Sequence, residues 1–305
     1  MMLPDVNSFK PVEMEDKAVF KQYFSEYPSK YCDMNFVNLV AWNDCTGAKW
    51  QEVGNRLFIY YSAIDSLVFQ IGKDLTPSEM NQVSQKMQRG GKSGVITLVK
   101  PEYVEANRTQ LEKYFTIEEN ELYNDYIYSS KKLASLSGKK LSKKKNLVNQ
   151  FKRQYPNYVS RPLTSADREI CLELTRTWTD SKEDIDEYME FEMEAIQKTW
   201  DHFDELGMEG VIILVDNQPV AYTIYSWQSH DTVDVHFEKY NNHFKGSGQM
   251  INQETALILK DKYSFINREQ DLQLEGLKKA KRSYDPIQNL RAFSLVPLSN
   301  QTMSL

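Results

Sequence analysis

The chain has 305 residues, of which 41% are hydrophobic and 26% are charged. This is the composition of a globular protein, and the length predicts two domains of roughly 150 residues each. The formal net charge of −6 argues against a surface that binds nucleic acid or anionic membranes throughout. The first residues lack the basic and apolar regions of a signal peptide, and no apolar run approaches the roughly 18 residues of a membrane span. We therefore expect a cytoplasmic protein without a transmembrane segment.

The cysteines do not form a ligand or disulfide pattern. Cys32, Cys45 and Cys171 lie far apart in the sequence, and none belongs to a C-x-x-C pair. Such spacing indicates neither a disulfide framework nor a zinc site. We expect no bound metal and three small buried side chains.

In the N-terminal half, helices and strands are predicted from hydrophobic spacing and turn residues. Thr76-Pro77-Ser78-Glu79 is typical of a helix start, and Gly90-Gly91 of a helix end. The predicted elements are, in chain order, a helix around 19–24, a helix over 34–42, an antiparallel hairpin with strands beginning at Arg56 and Ser66, a helix from Thr76 to Gly90, a strand from Val95, a helix opening at Pro101 and an aromatic strand (DYIYS) at 125–129.

The C-terminal half repeats this order in topology. Its predicted elements are a helix from about Thr164 to Trp178, a long acidic helix that ends at Gly207 and whose apolar positions (Ile185, Tyr188 and Trp200 among them) share one face, a three-stranded meander (VIILV, VAYTIYSW, TVDVHFEKY), a helix from about Gln249 to Lys262, the strand YSFIN and a helix from about Asp271 to Tyr284. We place a domain boundary near residue 155, giving domains 1–155 and 156–305. The predicted class is α+β or α/β, with two mixed, mostly antiparallel sheets flanked by helices.

A basic segment at 139–153 (KKLSKKKNLVNQFKR) contains no acid, whereas 180–209 is rich in aspartate and glutamate. Apolar residues at helical spacing indicate that the basic segment is a helix with one packed side. Clustered lysines gain affinity for phosphates by releasing counterions, so this helix is either a solvated face or a surface for an acceptor or polyanion. The residues of that predicted surface are Lys139, Lys140, Lys143, Lys144, Lys145 and Asn146.

A glycine-containing loop, HFKGSG at 243–248, lies between a predicted strand and a predicted helix. Glycines there let the backbone approach a ligand, and the N–H groups that open the helix suit a pyrophosphate. The loop resembles the Q/R-x-x-G-x-G/A loop with which GNAT acyltransferases hold the pyrophosphate of coenzyme A, with His243 in the Gln/Arg position. The alternative is an ordinary turn.

The strand before this loop alternates, which predicts that Asp234, His236 and Glu238 share one face. Glu238 or His236 is a candidate general base for an amine acceptor, and the alternative is a solvated strand face. Tyr284, at the end of the last predicted helix, is either packed in the core or an acid towards a departing thiolate, a role that tyrosines in this region often have in GNAT enzymes.

Two other glycine or loop patterns are rejected. Gly90-Gly91-Lys92-Ser93 looks like the end of a P-loop, but it follows a helix and precedes a strand, which reverses the required order. The strand VITLV runs directly into Lys100-Pro101-Glu102 without glycines. We predict that the N-terminal half lacks a pyrophosphate site and shapes the acceptor cleft instead.

Three separated blocks together resemble the phosphatidylglycerol lysyltransferase C-terminal-domain family, a tandem-GNAT group: DYIYSSKKLASLSGKKLSKKKNLVNQF, HFEKY with the glycine loop, and INREQDLQLEGLKKAKRSYDP. The resemblance implies two GNAT-like domains. Members related to lysyl-phosphatidylglycerol synthases, and the more distant Fem-type enzymes, are associated with aminoacyl-tRNA donors, whereas typical GNAT enzymes use acyl-CoA. The residues in the matching blocks are Asn146, Asn149, His236, Glu238, Lys239, Asn267, Arg268, Glu269, Asp271, Glu275 and Tyr284.

Three hypotheses follow. The first is a coenzyme A-dependent N-acyltransferase with an unknown amine acceptor. In it the catalytic residues are Glu238, His236 and Tyr284, and the cofactor-binding residues are His243, Lys245, Gly246, Ser247, Gly248, Gln249 and Asn267. The second is an aminoacyl-tRNA-dependent transferase to a lipid or peptide, with the basic helix on the tRNA. The third is a catalytically silent ligand-binding protein of the same fold.

Overall fold

A computed structural model describes residues 2–180 and 187–298, with the side chains at 178, 180, 187 and 188 excepted. The chain folds into two compact units. The first is built from Met1–Pro28, Asn43–Asn124 and Leu290–Leu305, and the second from Ser29–Trp42 and Asp125–Asn289. Among the described residues, no helix combines the length and apolarity of a membrane-spanning segment.

The strands are numbered in chain order. They are β1 (Lys10–Pro11), β2 (Ala48–Glu52), β3 (Leu57–Tyr61), β4 (Ser66–Val68), β5 (Val95–Val99), β6 (Phe115–Glu119), β7 (Asp125–Ser129), β8 (Val159–Pro162), β9 (Glu209–Val215), β10 (Gln218–Trp227), β11 (Thr232–Tyr240), β12 (Phe265–Asn267), β13 (Gln288–Leu290) and β14 (Phe293–Pro297).

The α-helices are numbered in the same way. They are α1 (Lys17–Glu26), α2 (Phe36–Ala41), α3 (Asn43–Thr46), α4 (Pro77–Arg89), α5 (Pro101–Leu111), α6 (Ser130–Ser135), α7 (Ser142–Gln154), α8 (Arg168–Asp180), α9 (Glu187–Asp201), α10 (Phe203–Leu206), α11 (Ser247–Leu259) and α12 (Glu275–Arg282).

Each unit contains a seven-stranded mixed sheet. The first sheet has the order β1-β2-β3-β4-β5-β14-β6 and the second has the order β13-β7-β12-β11-β10-β9-β8. In the first, β2, β3 and β4 form an antiparallel meander, and α4 then leads to β5, which is parallel to β4. In the second, β9, β10 and β11 form the meander, and α11 leads to the parallel strand β12. The predicted repeat of mostly antiparallel mixed sheets is therefore confirmed.

The two halves of the sequence exchange strands between the sheets. Strand β7 pairs with β12 in the second sheet, and β14 pairs with β5 and β6 in the first. The predicted aromatic strand DYIYS therefore does not complete the N-terminal sheet, and α2 also belongs to the second unit. The sequence-based division at residue 155 differs from these units for that reason. Residue 155 itself lies inside the second unit, directly after α7.

Local sequence signals account well for the other predicted elements. Helix α4 begins with a capping box, in which the Thr76 side chain accepts from the Glu79 backbone and the Glu79 side chain accepts from the Thr76 N–H. The predicted long acidic helix is divided at His202 into α9 and α10, and α10 ends at its C-cap Gly207, whose φ of 75° is left-handed. The predicted apolar position Ile185 lies outside the described residues. Strands β2, β6, β8 and β14 were not predicted, because their alternation is short or interrupted by charged residues.

Each sheet has its own core. In the first unit, residues of β3, β5 and α4 pack together, including Tyr60, Ile96 and Val83. In the second, α7 and α11 cover one face of the sheet, where Phe151 and Met250 join Val235 of β11 in one apolar cluster. This packing fixes the position of β11, along which the polar residues of the candidate site lie.

Candidate active site

The candidate site is an opening between the parallel strands β11 and β12. The two strands pair only from Thr232↔Phe265 to Asp234↔Asn267. Strand β11 continues to Tyr240 without β12 beside it. Polar side chains fill this opening from the later part of β11 and from the residues that follow β12.

A β-bulge in β11 divides these polar side chains between the two faces of the sheet. Ile224 of β10 pairs with Phe237 and Tyr225 pairs with Val235, so that His236 is the additional residue. A bulge of this kind reverses the alternation of side chains beyond it. The prediction that Asp234, His236 and Glu238 share one face is therefore wrong for Glu238.

Contacts on either side of the strand agree with this reversal. The Phe237 ring lies 6.3 Å from that of Trp42, next to α2, and Lys239 forms an ion pair of 2.7 Å with Glu192 of α9. Glu238 instead accepts a hydrogen bond of 3.4 Å from Asn252 of α11. One polar cluster thus lies on the α11 side of the sheet and another on the α2 side.

The cluster on the α11 side is organised around Arg268. Its Nη2 donates to Glu238 Oε1 at 2.9 Å, and both side chains are only 13% exposed. The guanidinium lies 4.8 Å from the Tyr284 ring, and Lys144 Nζ approaches the same ring at 4.3 Å. Arg268 Nη1 is buried without a hydrogen-bond partner among the described residues. A buried cationic donor without a partner is unfavourable by itself and suits the oxygen of an anionic or carbonyl ligand.

The electrostatics of this cluster keep Tyr284 protonated. Burial raises the pKa of the Tyr284 phenol well above its usual value, while Arg268 and a hydrogen bond with Gln249 oppose the rise. Burial also lowers the pKa of Lys144. This cluster therefore brings together a carboxyl group, a phenol and two cationic side chains.

The cluster on the α2 side contains Asp234, His236 and Glu269, of which the side chains of Asp234 and His236 are fully buried. His236 Nδ1 lies 3.1 Å from Glu269 Oε1 and 3.0 Å from Asn38 Oδ1. His236 Nε2 lies 2.8 Å from Ser226 Oγ. His236, a predicted catalytic residue, is thus separated from Glu238 and Tyr284, and both of its ring nitrogens already have partners.

Next to this cluster lies a buried carboxyl group, Asp125. It accepts from the Cys32 N–H at 2.6 Å and from Asn267 Nδ2 at 2.8 Å. Burial and the nearby Asp33 raise the pKa of Asp125 to about 7, against the effect of these two hydrogen bonds. Asn267, a predicted cofactor ligand, also donates to the Lys30 carbonyl and accepts from the Glu269 N–H, so all its polar atoms bond within the protein.

The glycine loop packs against α7. Gly246 has a φ of 92°, and a Cβ there would lie 2.6 Å from the Leu147 carbonyl oxygen; a Cβ on Gly248 would lie 2.9 Å from the Tyr240 ring. Both glycines are thus required by close contacts within the protein. The Ser247 hydroxyl donates to the Asn241 carbonyl at 3.0 Å. The remaining predicted loop residues, His243 and Lys245, are exposed.

The first turns of the two equivalent helices differ. Helix α4 occupies the same place in the first unit as α11 in the second, since each leads to a parallel strand. At the start of α4, the Glu79 carboxylate accepts from the Thr76 N–H at 2.8 Å. The first N–H groups of a helix have no partner within it; at the start of α11 the Ser247 N–H donates to the Phe244 carbonyl at 3.0 Å, and no side chain caps the helix at Gly246.

The predicted basic helix is α7 with the turn before it. Lys139, Lys143, Lys145 and Asn146 are exposed, and Lys140 forms an ion pair of 2.7 Å with Asp285. Of the six predicted residues, Lys144 is the one that contacts the Arg268 cluster, through the Tyr284 ring. The helix therefore contributes one lysine to the pocket and presents others at the surface.

Several site residues carry no recognisable signal in the sequence. Asn35 caps α2 and donates to Asp234 at 3.3 Å, from 199 residues away in the chain. Asn38 and Asp125 likewise reach the site through the exchange of segments between units. Arg268 and Glu269 lie in the blocks that carry the family resemblance, and their alternation after β12 is the only local indication that they point to opposite faces.

Comparison with known proteins agrees with this architecture. The family model for the C-terminal region of phosphatidylglycerol lysyltransferase matches residues 24–295. A crystal structure of a conserved protein of unknown function from Bacteroides thetaiotaomicron superposes with a TM-score of 0.87 and 28% identity, covering 95% of this chain and 99% of that one. The structure of L-PGS from Bacillus licheniformis superposes with a TM-score of 0.62 and 12% identity, covering 92% of this chain and 91% of that one. The crystal structure of FemX superposes with a TM-score of 0.61 and 8% identity, covering 94% of this chain and 96% of that one.

A curated relative matches over a shorter range. An uncharacterized protein of Mycoplasmoides gallisepticum is 22% identical over 171 residues, which are 55% of this chain and 54% of that protein. The chain thus spans about half the length of this relative.

Two sheets built on a meander, a helix and a parallel strand, with a polar opening beside that strand in the second unit, define a tandem GNAT-like fold, and the family match makes the chain a transferase. The chain belongs to the phosphatidylglycerol lysyltransferase C-terminal-domain family.

Proposed function

We propose that the protein transfers an aminoacyl group from aminoacyl-tRNA to a hydroxyl or amine acceptor. The observation that carries the proposal is the pocket of Arg268, Glu238 and Tyr284 next to the lysine-rich helix α7. Arg268 has a buried N–H without a partner among the described residues, and Lys144 connects the pocket with the exposed lysines of α7. The name-giving members of the family transfer lysyl groups, which makes lysyl-tRNA the first donor to test.

In the proposed reaction, the acceptor oxygen or nitrogen attacks the carbonyl carbon of the aminoacyl ester. Glu238 takes the proton of the acceptor as the new bond to carbon forms. The bond between the carbonyl carbon and the ribose oxygen then breaks, and Tyr284 donates its proton to that oxygen. Arg268 stabilises the negative charge that develops on the carbonyl oxygen, which is the step in which fixed donors in a dry site contribute most.

The basic surface has a separate role. Lys143 and Lys145 are exposed on α7 and carry no ion pair within the described chain. We propose that they contact phosphates of the tRNA acceptor arm. Binding should then weaken with salt, because each neutralised phosphate releases counterions.

Coenzyme A-dependent acyl transfer is the second candidate. The uncapped start of α11 favours it, since this helix end can receive a pyrophosphate. The glycines of the loop favour it less than the sequence indicated, because Gly246 and Gly248 are required by contacts with Leu147 and Tyr240.

The test compares both donors on the full chain. Lysyl-tRNA, a pool of other charged tRNAs and acetyl-CoA are each incubated with the protein and with phosphatidylglycerol vesicles or a lysine-containing peptide, and the labelled product is counted. We expect product from a charged tRNA, reduced roughly 10²- to 10⁴-fold by Glu238→Gln. Tyr284→Phe removes the proposed proton donor. Its control is Tyr263→Phe, which changes a tyrosine outside the Arg268 cluster.

Binding gives an independent readout. The double substitution Lys143→Glu/Lys145→Glu should weaken tRNA binding and lower the magnitude of the salt slope by about 1.4 to 1.8, at roughly 0.7 to 0.9 for each phosphate contact. Lys262→Glu, on the surface after α11, is the matched control and should leave both unchanged. Product from acetyl-CoA alone would establish the second candidate, and product from neither donor would refute aminoacyl and acyl transfer alike.

A further inference from the structure

The cluster on the α2 side of the sheet contains a set of donor atoms that fits a metal ion. The ligand atoms of Asp234, His236 and Glu269 all lie within 4.8 Å of one another. His236 Nδ1 lies 3.9 Å from Asp234 Oδ2 and 3.1 Å from Glu269 Oε1. Donor atoms of a tetrahedral site are about 3.3 Å apart when the metal–ligand bonds are about 2.0 Å. The three side chains therefore need only small movements to coordinate one ion.

A fourth donor lies on α2. Asn38 Oδ1 is 3.0 Å from His236 Nδ1, and Asn38 Nδ2 donates to Glu269 Oε1 at 2.8 Å. The amide oxygen is thus already turned towards the same centre. An imidazole nitrogen, two carboxylate oxygens and an amide oxygen are ligands for a first-row divalent ion such as Mn²⁺ or Zn²⁺, whereas Mg²⁺ prefers oxygen ligands alone.

The buried carboxyl groups of the cluster also favour a bound cation. Asp234 is fully buried, and its Oδ1 has no hydrogen-bond partner among the described residues. Within the described part of the chain, neither Asp234 nor Glu269 has a lysine or arginine within 4.0 Å; their ion-pair contacts are with His236. Buried Lys281 attracts Glu269, but among the described residues it forms no ion pair with either carboxyl group, and burying carboxylates with so little compensating charge is unfavourable. A divalent ion neutralises both.

The second ring nitrogen of His236 is held as in metal sites. His236 Nε2 lies 2.8 Å from Ser226 Oγ, which in turn lies 3.1 Å from Asn35 Nδ2. With Nδ1 on a metal, the Nε2–H donates to the Ser226 hydroxyl and fixes the ring. Partners of this kind orient the ligand and increase its basicity.

We propose that Asp234, His236, Glu269 and Asn38 bind one divalent transition-metal ion, which joins α2, β11 and the segment after β12. The site lies on the face of β11 opposite the Glu238–Arg268 pocket, and the proposal does not depend on which donor the transferase uses. Glu269, whose side chain is 17% exposed, is the edge through which the ion enters.

The test uses the full chain after dialysis against EDTA. Mn²⁺ binding is followed by electron paramagnetic resonance, because thiols such as that of the exposed Cys45 bind Mn²⁺ poorly. Zn²⁺ and Mg²⁺ are titrated by calorimetry, and metal in the protein as purified is measured by mass spectrometry. We expect one equivalent of Mn²⁺ or Zn²⁺ to bind, with Mg²⁺ at least tenfold weaker.

Variants decide where the ion binds. Glu269→Gln and His236→Gln should raise the Kd at least 100-fold, and Ser226→Ala should raise it roughly 10- to 100-fold. His202→Gln, an exposed histidine paired with Glu205, is the matched control and should leave the Kd unchanged. Circular dichroism verifies that each variant is folded. If Glu269→Gln or His236→Gln does not fold, Ser226→Ala provides the test instead. Absence of saturable binding, or binding that Glu269→Gln leaves intact, would overturn the proposal.

Discussion

The buried carboxyl group of Asp125 makes the stability of the protein depend on pH in a defined direction. Burial and Asp33 raise the pKa of Asp125 from 3.8 to about 7. Between these two values the folded protein retains a proton that the unfolded chain has lost. The folded state then binds more protons, so the contribution of Asp125 to the free energy of unfolding falls as the pH rises from about 4 to about 7 and changes little above that. The loss corresponds to roughly 4 kcal/mol, from about 1.4 kcal/mol for each pH unit of the difference.

The substitution Asp125→Asn isolates this effect. The side-chain oxygen of asparagine can still accept from the Cys32 N–H and from Asn267, while the amide cannot ionise. We expect the variant to be no more stable than the wild type near pH 4 and more stable by up to about 4 kcal/mol near pH 7.5. Urea unfolding followed by circular dichroism at several pH values, with EDTA present to remove any bound ion, measures the difference between the two proteins.

The control is Asp204→Asn, which changes an exposed carboxyl group and should preserve the wild-type pH profile. If Asp125→Asn and the wild type lose stability in parallel between pH 4 and 7.5, the carboxyl group of Asp125 is ionised throughout and the reasoning fails.

Three further predictions concern packing, charge and capping. Gly246→Ala should lower the free energy of unfolding by about 2 kcal/mol more than Gly91→Ala, because both glycines have positive φ but only the first would place its Cβ 2.6 Å from a backbone oxygen of α7; equal losses in urea unfolding would contradict this. Glu238→Gln should cost about 3 kcal/mol by leaving the buried Arg268 charge without its partner, and Glu238→Gln/Arg268→Met should recover most of it; a double variant as unstable as the single one would contradict the pairing. Thr76→Ala removes the cap of α4 and should cost about 1 kcal/mol, which thermal unfolding can measure.

Elements with strong local signals are predictable from the sequence. The capping box at Thr76 and the turns between β9, β10 and β11 depend on residues that are neighbours in the chain. The exchange of strands between the sheets cannot be predicted in this way, since nothing in DYIYS distinguishes a partner in the first sheet from one in the second. Pairing of β14 depends on long-range contacts, and its sequence, FSLVP, is too short to show a period.

The sequence predicts some of the residues that lie in the candidate site but not how they are arranged around β11. Glu238 and Tyr284 meet around Arg268, which lies in a block of the family resemblance but in no local sequence motif. The position of Glu238 was derived from strict alternation along β11, and one additional residue at His236 reverses that alternation. Asn35 and Asn38 reach the cluster from α2, and no spacing rule relates them to residues about 200 positions later.

The bulge at His236 places the Glu238–Arg268 cluster and the proposed metal ligands on opposite faces of β11. Because Glu238 and His236 lie on opposite faces of the same strand, substitutions of one should not directly remove a ligand from the other cluster. Glu238→Gln should therefore leave the Mn²⁺ affinity within about twofold of the wild-type value, as expected for sites with no shared partners. If instead Glu238→Gln weakens Mn²⁺ binding as strongly as Glu269→Gln does, the two faces form a single site, and the metal ion would have to be placed next to the transferred group.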